Sequence, residues 1–432
     1  MSHSPTLTLS CRQSGMEARR SDRLLWVTSL LFVVWLVWVE SSFQYFEGSL
    51  GSDLRLDSAG VALVAGSFLL PYGLVQVPVG RLIDRGRVEL WLLLAALAAA
   101  FCSLVFASSN SLQGLLLSRI GTGMACAVAF PASAVLARRS LPADRFALAM
   151  GFTDGLLGVG AALAAVVPLL LGRSGWRDLV LFQGLSVALM VALPMLLLGG
   201  RRRAPSQLPA AEQDMRVQRW TRAGVNRLIQ CCLLYAWGLG FVFGMAQYGL
   251  LSSLRGWPNS FMEGLTLIMS IGLVVGMVAS GALGGRPQQR GGLLLTGTVI
   301  TLLSLLLLIK PLLPQGVLIL PAFSFGVGIG TSVLAFPISE ASAPPGQTAM
   351  TVSIVNTSGT VMGGLMTIVS GLILQASPQG DLSLVLLIYG ALALFGVAMA
   401  SWISFSSESA AVGAIPSRPD AVPSIDSAEP GE

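Results

Sequence analysis

Three side chains stand out because almost no other charge surrounds them: Glu40, Arg119 and Asp154. An ionisable group deep in an apolar medium costs on the order of 3 kcal/mol, so each needs a partner or a task. Glu40 and Arg119 could form an ion pair that a proton or an anionic solute breaks. The pair could equally be a static tie, or Glu40 could lie in exterior water. Asp154 could carry a proton, because desolvation favours the neutral form of a carboxyl; it could also simply hydrogen-bond Thr153 or a neighbouring segment. Asn356 is a polar residue in a similar setting, and Gln44, Tyr72, Gln76, Gln247 and Tyr248 are neutral candidates for contacting a solute. Tyr72 and Gln76 are four residues apart and so share a helix face. The one histidine is His3, and the five cysteines form no CxxC pair. With no HExxH and no GxSxG, neither a metal site nor a membrane enzyme is expected, and no cofactor.

The segments that hold these groups are set by composition. Of 432 residues, 54% are hydrophobic and 11% charged. About 20 mostly apolar residues cross the ~30 Å hydrocarbon core as a helix. Twelve such runs lie at 24–46, 59–80, 88–107, 112–136, 146–171, 177–199, 226–252, 261–284, 291–310, 315–338, 349–375 and 382–404. The expected fold is an all-α polytopic membrane protein, since in lipid the backbone must satisfy its own hydrogen bonds. At 1.5 Å per residue, Glu40 lies ~24 Å from the inner end of run 1 and Arg119 ~10 Å from the outer end of run 4, at similar depth. Asp154 and Asn356 lie ~12 and ~10 Å inside runs 5 and 11.

Charge gives the orientation. With the N-terminus inside, the inner segments hold 20 of the 26 Lys and Arg residues, the outer loops five, and Arg119 stands alone within a run. This bias places both termini in the cytoplasm and makes the net charge of +5 a topology signal, not a nucleic-acid footprint. The chain divides into a polar N-terminal segment 1–23, a first set of six runs 24–199, a polar loop 200–225 with Arg201-Arg202-Arg203, a second set 226–404, and a Ser-, Pro- and acid-rich tail 405–432 expected to be disordered.

The two sets of six look duplicated. Ala129-Phe130-Pro131 in run 4 recurs as Ala335-Phe336-Pro337 in run 10, and Asp154 and Asn356 follow in the next runs. Gly80-x-Leu82 recurs as Gly281-x-Leu283, but Gly285 stands where the first copy has Asp84. Same-order recurrence of this kind points to a pseudo-symmetric array. Gly240/Gly244, Gly272/Gly276, Gly326/Gly330 and Gly359/Gly363 are spaced for close helix packing, or for faces that slide.

Between runs 2 and 3 stands Gly80-Arg81-Leu82-Ile83-Asp84-Arg85-Gly86-Arg87, too short for anything but a tight helical hairpin. It resembles the loop 2/3 signature of the major facilitator superfamily, at Gly80, Leu82, Asp84, Arg85, Gly86 and Arg87, although one residue shorter between Arg85 and Gly86. Gly175-Trp176-Arg177 and Asn356-Thr357-Ser358-Gly359 also resemble that family, over about residues 24–404. The resemblance implies twelve helices in two six-helix halves, with helices 1, 4, 7 and 10 around a cavity, 2, 5, 8 and 11 as gating walls, and 3, 6, 9 and 12 toward lipid. It implies a monomeric secondary transporter, and a latch at Asp84 that a helix N-terminus such as that of run 11 engages. Its drug exporters carry a Pro-containing glycine pattern in helix 5 that Gly155 to Gly160 lacks. The leading expectation is proton-coupled uptake of a small organic anion at Arg119 across a bacterial inner membrane. Proton-coupled efflux of a metabolite or drug, and a non-transporting sensor or scaffold, are the alternatives.

Overall fold

The computed structural model describes residues 5–171, 175–199, 219–245, 256–309, 313–376 and 383–412. Twelve helices in it are long and apolar enough to cross a membrane. Span 1 is Pro5–Leu54, span 2 Ser58–Arg85, span 3 Val88–Ser108 and span 5 Phe146–Leu171. Span 7 is Arg222–Met245, span 8 Asn259–Leu283, span 9 Pro287–Ile309, span 11 Thr348–Ala376 and span 12 Ser383–Val412.

The other three spans are interrupted. Span 4 is Leu112–Cys126 followed by Ala129–Ser140; span 10 is Ile319–Gly330, a 3₁₀ turn Thr331–Leu334, then Ala335–Glu340. Both breaks precede the prolines of the recurring Ala-Phe-Pro, Pro131 and Pro337, which lack the N–H that would bond the carbonyl four residues back. Span 6 runs Trp176–Val187, a π-turn Ala188–Ala192 and Leu193–Gly199, with Pro194 just beyond the π-turn.

Three expectations about the ends change. Residues 5–22 are helical and continue into span 1, where a separate polar segment was expected. Span 7 begins four residues early at Arg222, because the Thr221 hydroxyl caps it by accepting the Gly224 N–H at 3.0 Å. Residues 405–412 extend span 12, and the rest of the tail lies outside the described residues, as does 200–218 of the central loop.

Burial separates centre from periphery. In their apolar stretches spans 4, 10 and 7 are 83%, 67% and 61% buried, whereas span 12 is 28%. The first therefore pack inside the array and the last faces outward. Close approach depends on glycine where spans 8 and 10 cross. A Cβ at Gly272 or Gly276 would collide with the carbonyl oxygens of Phe323 and Val327, and one at Gly326 with that of Met269. Only the bare backbone lets these helices touch.

The halves are joined at the end that carries the Gly80–Arg87 turn, here termed the basic end. There Arg138 Nε of span 4 pairs with Glu340 Oε1 of span 10 at 2.8 Å, and Phe130 meets Phe336 with ring centroids 5.2 Å apart. The two Phe residues of the recurring tripeptide thus touch across the pseudo-two-fold.

Candidate functional site

Arg119 is buried in span 4, its guanidinium held between the rings of Phe43 and Phe68 at 5.0 and 4.9 Å. It donates one hydrogen bond, from Nη1 to the Val39 carbonyl at 3.4 Å, and its buried Nε has no partner. The expected ion pair with Glu40 does not form: the two groups stay beyond the 4.0 Å that defines one, and Glu40 accepts from the Ser41 hydroxyl at 3.0 Å. The depth estimate placed the two groups level, and Arg119 does reach the residue before Glu40. Rotation about the helix axis then puts Phe43, not Glu40, against the cation, where attraction to the ring face adds to the longer-range attraction of the carboxylate.

Asp154 in span 5 is 1% exposed. Tyr235 of span 7 donates to both carboxylate oxygens, each at 3.2 Å. Neighbouring Thr153 is occupied elsewhere, donating to the Ala149 carbonyl. Asn356 in span 11 has a different set of partners: Nδ2 donates to Tyr72 Oη at 3.2 Å and to Gln76 Oε1 at 3.1 Å. Thr357 adds a bond to the Gly73 carbonyl, and Gln76 Nε2 is buried without a partner. Asp154 and Asn356 share no hydrogen bond, but Tyr72, which Asn356 bonds, also lies near enough to Asp154 to interact with it. Each is tied to the opposite half through a tyrosine, Asp154 through Tyr235 and Asn356 through Tyr72. Gln44 is exposed, and Gln247 and Tyr248 lie outside the described residues.

At the turn after span 2, Asp84 Oδ1 and Oδ2 accept the backbone N–H groups of Ala349 and Met350, both at 2.8 Å. These are orphan donors of the first turn of span 11, and a carboxylate there also opposes the positive end of the helix dipole. Gly80 permits the approach, since a Cβ would lie 2.8 Å from the Ala349 carbonyl oxygen and 2.9 Å from Met350 Cα. Gly86 closes the span, and Arg81, Arg85 and Arg87 are exposed around it.

Several contributors were not singled out from the sequence. Phe43, Phe68 and Tyr235 are ordinary core residues by type, although Tyr235 is a hydroxyl in a run with few others. Arg290, assigned to a loop, is buried at the start of span 9, donating to the carbonyls of Gly284 at 2.8 Å and Pro337 at 3.0 Å. Arg119 is therefore not the one buried arginine, but Arg290 has its donors engaged and Arg119 does not.

The family model for the Major Facilitator Superfamily matches residues 27–367. An uncharacterized MFS-type transporter, YcxA of Bacillus subtilis, is 25% identical over 308 residues, 68% of this chain and 74% of that one. Multidrug resistance protein D of Escherichia coli is 26% identical over 396 residues, covering 87% and 95%. The probable galactarate/D-glucarate transporter GudP of Escherichia coli is 25% identical over 41% of each chain. Among solved structures, the human organic anion transporter MFSD10 superposes with a TM-score of 0.65 at 16% identity, covering 88% of this chain and 99% of that one, which shows a common fold. The Escherichia coli fucose:proton symporter FucP does so at 0.63 and 13%, covering 88% and 98%. With twelve spans, an acid-capped turn after the second and a family match over most of its length, the chain belongs to the Major Facilitator Superfamily of secondary transporters.

Proposed function

We propose that this transporter takes up a small organic anion together with a proton, by alternating access of the bundles 24–199 and 226–404. The observation that carries the reading is Arg119. A guanidinium buried in a span, with a free Nε and only Glu40, beyond ion-pair range, as a nearby carboxylate, is an incompletely compensated cation. Solute carboxylate is the ligand that compensates it, through charge-assisted hydrogen bonds from the guanidinium edge. The flanking rings of Phe43 and Phe68 hold the cation while leaving that edge to the ligand. Asp154 is the proton carrier in this reading, because it is buried with no cation beside it and only the phenols of Tyr235 and Tyr72 near it.

Thermal-shift screening of organic acids against purified protein should find a ligand, and Arg119→Gln should weaken it roughly 10- to 100-fold, the worth of a hydrogen bond to a charged group. In proteoliposomes Asp154→Asn should abolish pH-driven accumulation but keep exchange at equal concentrations. An Arg119→Gln protein that binds and transports as the wild type ends the anion reading. Uphill accumulation by Asp154→Asn ends the proton assignment. Total absence of flux would favour a sensor or scaffold.

The basic end faces the cytoplasm in this reading, with both termini there, in a bacterial inner membrane and as a monomer. Reporter fusions after Arg203 and Arg418 should read cytoplasm, and those near Arg55 and Arg255 the outside. Proton-coupled efflux of a metabolite or drug is the second reading, favoured by the likeness to Multidrug resistance protein D over most of both chains. The direction of pH-driven flux in oriented vesicles separates the two.

A further inference from the structure

Tyr235 touches spans 5, 10 and 11 at once. Its hydroxyl donates to Asp154 in span 5, in the opposite half. Its ring stands edge-on to Phe336 of span 10, centroids 4.6 Å apart. The ring also fills the space over Gly359 of span 11, where a Cβ would lie 2.6 Å from Tyr235 Cδ1 and Cε1. Phe336 in turn leans on Phe130 of span 4, and all four side chains are at most 1% exposed. The carboxyl, the phenol and the two phenyl rings thus form one chain of contacts ending at the seam between the halves.

We propose that Tyr235 is a positioning residue that transmits the protonation of Asp154 to the Phe130–Phe336 contact closing the basic end. The inference rests on the reading of Asp154 as the proton carrier. A carboxylate accepts the phenol proton through a charge-assisted bond and pins the ring against Phe336. A proton on Asp154 removes that charge. The carboxylic O–H can then donate to Tyr235 Oη instead, and the phenol proton is released to turn elsewhere. The ring loses its anchor, and Phe336 loses its backing.

Protonation of Asp84 would also loosen the basic end, through span 11, so an Asp84→Asn variant is included in the test. Of the groups on elements packed against span 5, Glu40 of span 1 is bonded to Ser41, Arg138 is paired with Glu340, and Arg139 with Glu89. Asp144 and Arg145 are exposed in the turn before span 5. Among the described residues, the titratable groups near enough to interact with Asp154 are the phenols of Tyr235 and, on span 2, Tyr72.

The test needs no substrate. Hydrogen exchange of the full-length protein in lipid nanodiscs, corrected for intrinsic rates, reports opening of the basic ends of spans 4 and 10. Between about pH 8 and about pH 5 the wild type should open roughly tenfold more, the ratio between a charged and a neutral acceptor. Asp154→Asn should sit at the open level throughout, and Tyr235→Phe should lose the pH step while keeping its ring. Asp84→Asn should keep the step. If Tyr235→Phe does not fold, Phe336→Leu serves, since it spares the Asp154–Tyr235 bond and removes the ring contact; its pH step should also vanish. A wild-type step in Tyr235→Phe or Phe336→Leu, or loss of the step in Asp84→Asn, overturns the inference. A step that survives in Asp154→Asn sinks the proton assignment instead, and a wild type with no step sinks both.

Discussion

The two turns at equivalent places in the halves, after span 2 and after span 8, are built alike and secured differently. Both pack on a gating partner through a glycine. Gly80 abuts Ala349 and Met350 of span 11, and Gly281 abuts span 5, where a Cβ would lie 2.7 Å from the Ala147 carbonyl oxygen and 3.0 Å from Leu148 Cα. The first turn then adds a charge across the seam, Asp84 on the N-terminus of span 11. The second has Gly285 in that place, 2.9 Å from the Asp144 carbonyl if given a Cβ, and spends its nearby charge within its own half. Arg290 there satisfies the last carbonyls of spans 8 and 10. One wall thus has a carboxylate on a helix end across the seam; the other has close packing and an internally braced corner. Duplication kept the packing and let the electrostatics diverge, so motion is expected to be released chiefly at the span 2–span 11 side.

The largest break in that comparison is Asp84→Asn. It removes a charged acceptor from two backbone donors and a helix terminus, worth about 2 kcal/mol, or roughly 30-fold in the balance between states. Transport turnover should fall by that order while ligand affinity in the closed state holds; wild-type turnover would dismiss the latch. Next is Arg290→Met. Removing a charged donor from the buried carbonyls of Gly284 and Pro337, the latter also accepting from the Ala341 N–H, should lower stability by about 1–3 kcal/mol, read as a fall in Tm, with turnover of the folded fraction unchanged within about a factor of two. A turnover loss like that of Asp84→Asn would mean the second corner also switches. Gly285→Asp sharpens the contrast further. The new Cβ would already crowd the Asp144 carbonyl oxygen at 2.9 Å, so about 1 kcal/mol of destabilisation is expected, with no gain of gating control. Smallest is Glu340→Gln, which breaks a partly exposed ion pair with Arg138 (side chains 40% and 12% accessible) and should cost only about 0.5 kcal/mol.

What could be read from the sequence follows a physical line. Run length and hydropathy report how a helix meets the bilayer, so the twelve spans, their order and the depth of Glu40 relative to Arg119 came through. Depth accrues at 1.5 Å per residue, but azimuth turns about 100° per residue, and small errors in helix rotation exchange one neighbour for another. Hence Arg119 stacks on Phe43 with Glu40 beyond ion-pair range, and Asp154 bonds Tyr235, 81 positions away, while Asn356 bonds Tyr72. The breaks in spans 4 and 10 were legible in Pro131 and Pro337 but submerged in runs that read as continuous. Arg290 looked like loop because it stands at a boundary; its burial depends on the Pro337 carbonyl from a span that follows later in the chain.

The Asp84 contact also has a consequence for how the polypeptide is made. Its two N–H donors come 265 and 266 residues later in the chain. At 5–20 residues per second, the ribosome needs roughly 13–53 s to supply them. Once the first six helices are in the bilayer, Asp154 waits only for Tyr235 of span 7, whereas Asp84 and the Tyr72–Gln76 pair still lack their partners from span 11. The nascent half is therefore a membrane intermediate with exposed polar groups along one seam, and it remains so until the eleventh helix is inserted. A chaperone or insertase that shields that seam would act in this window, and truncation before residue 349 would leave the seam permanently unsatisfied.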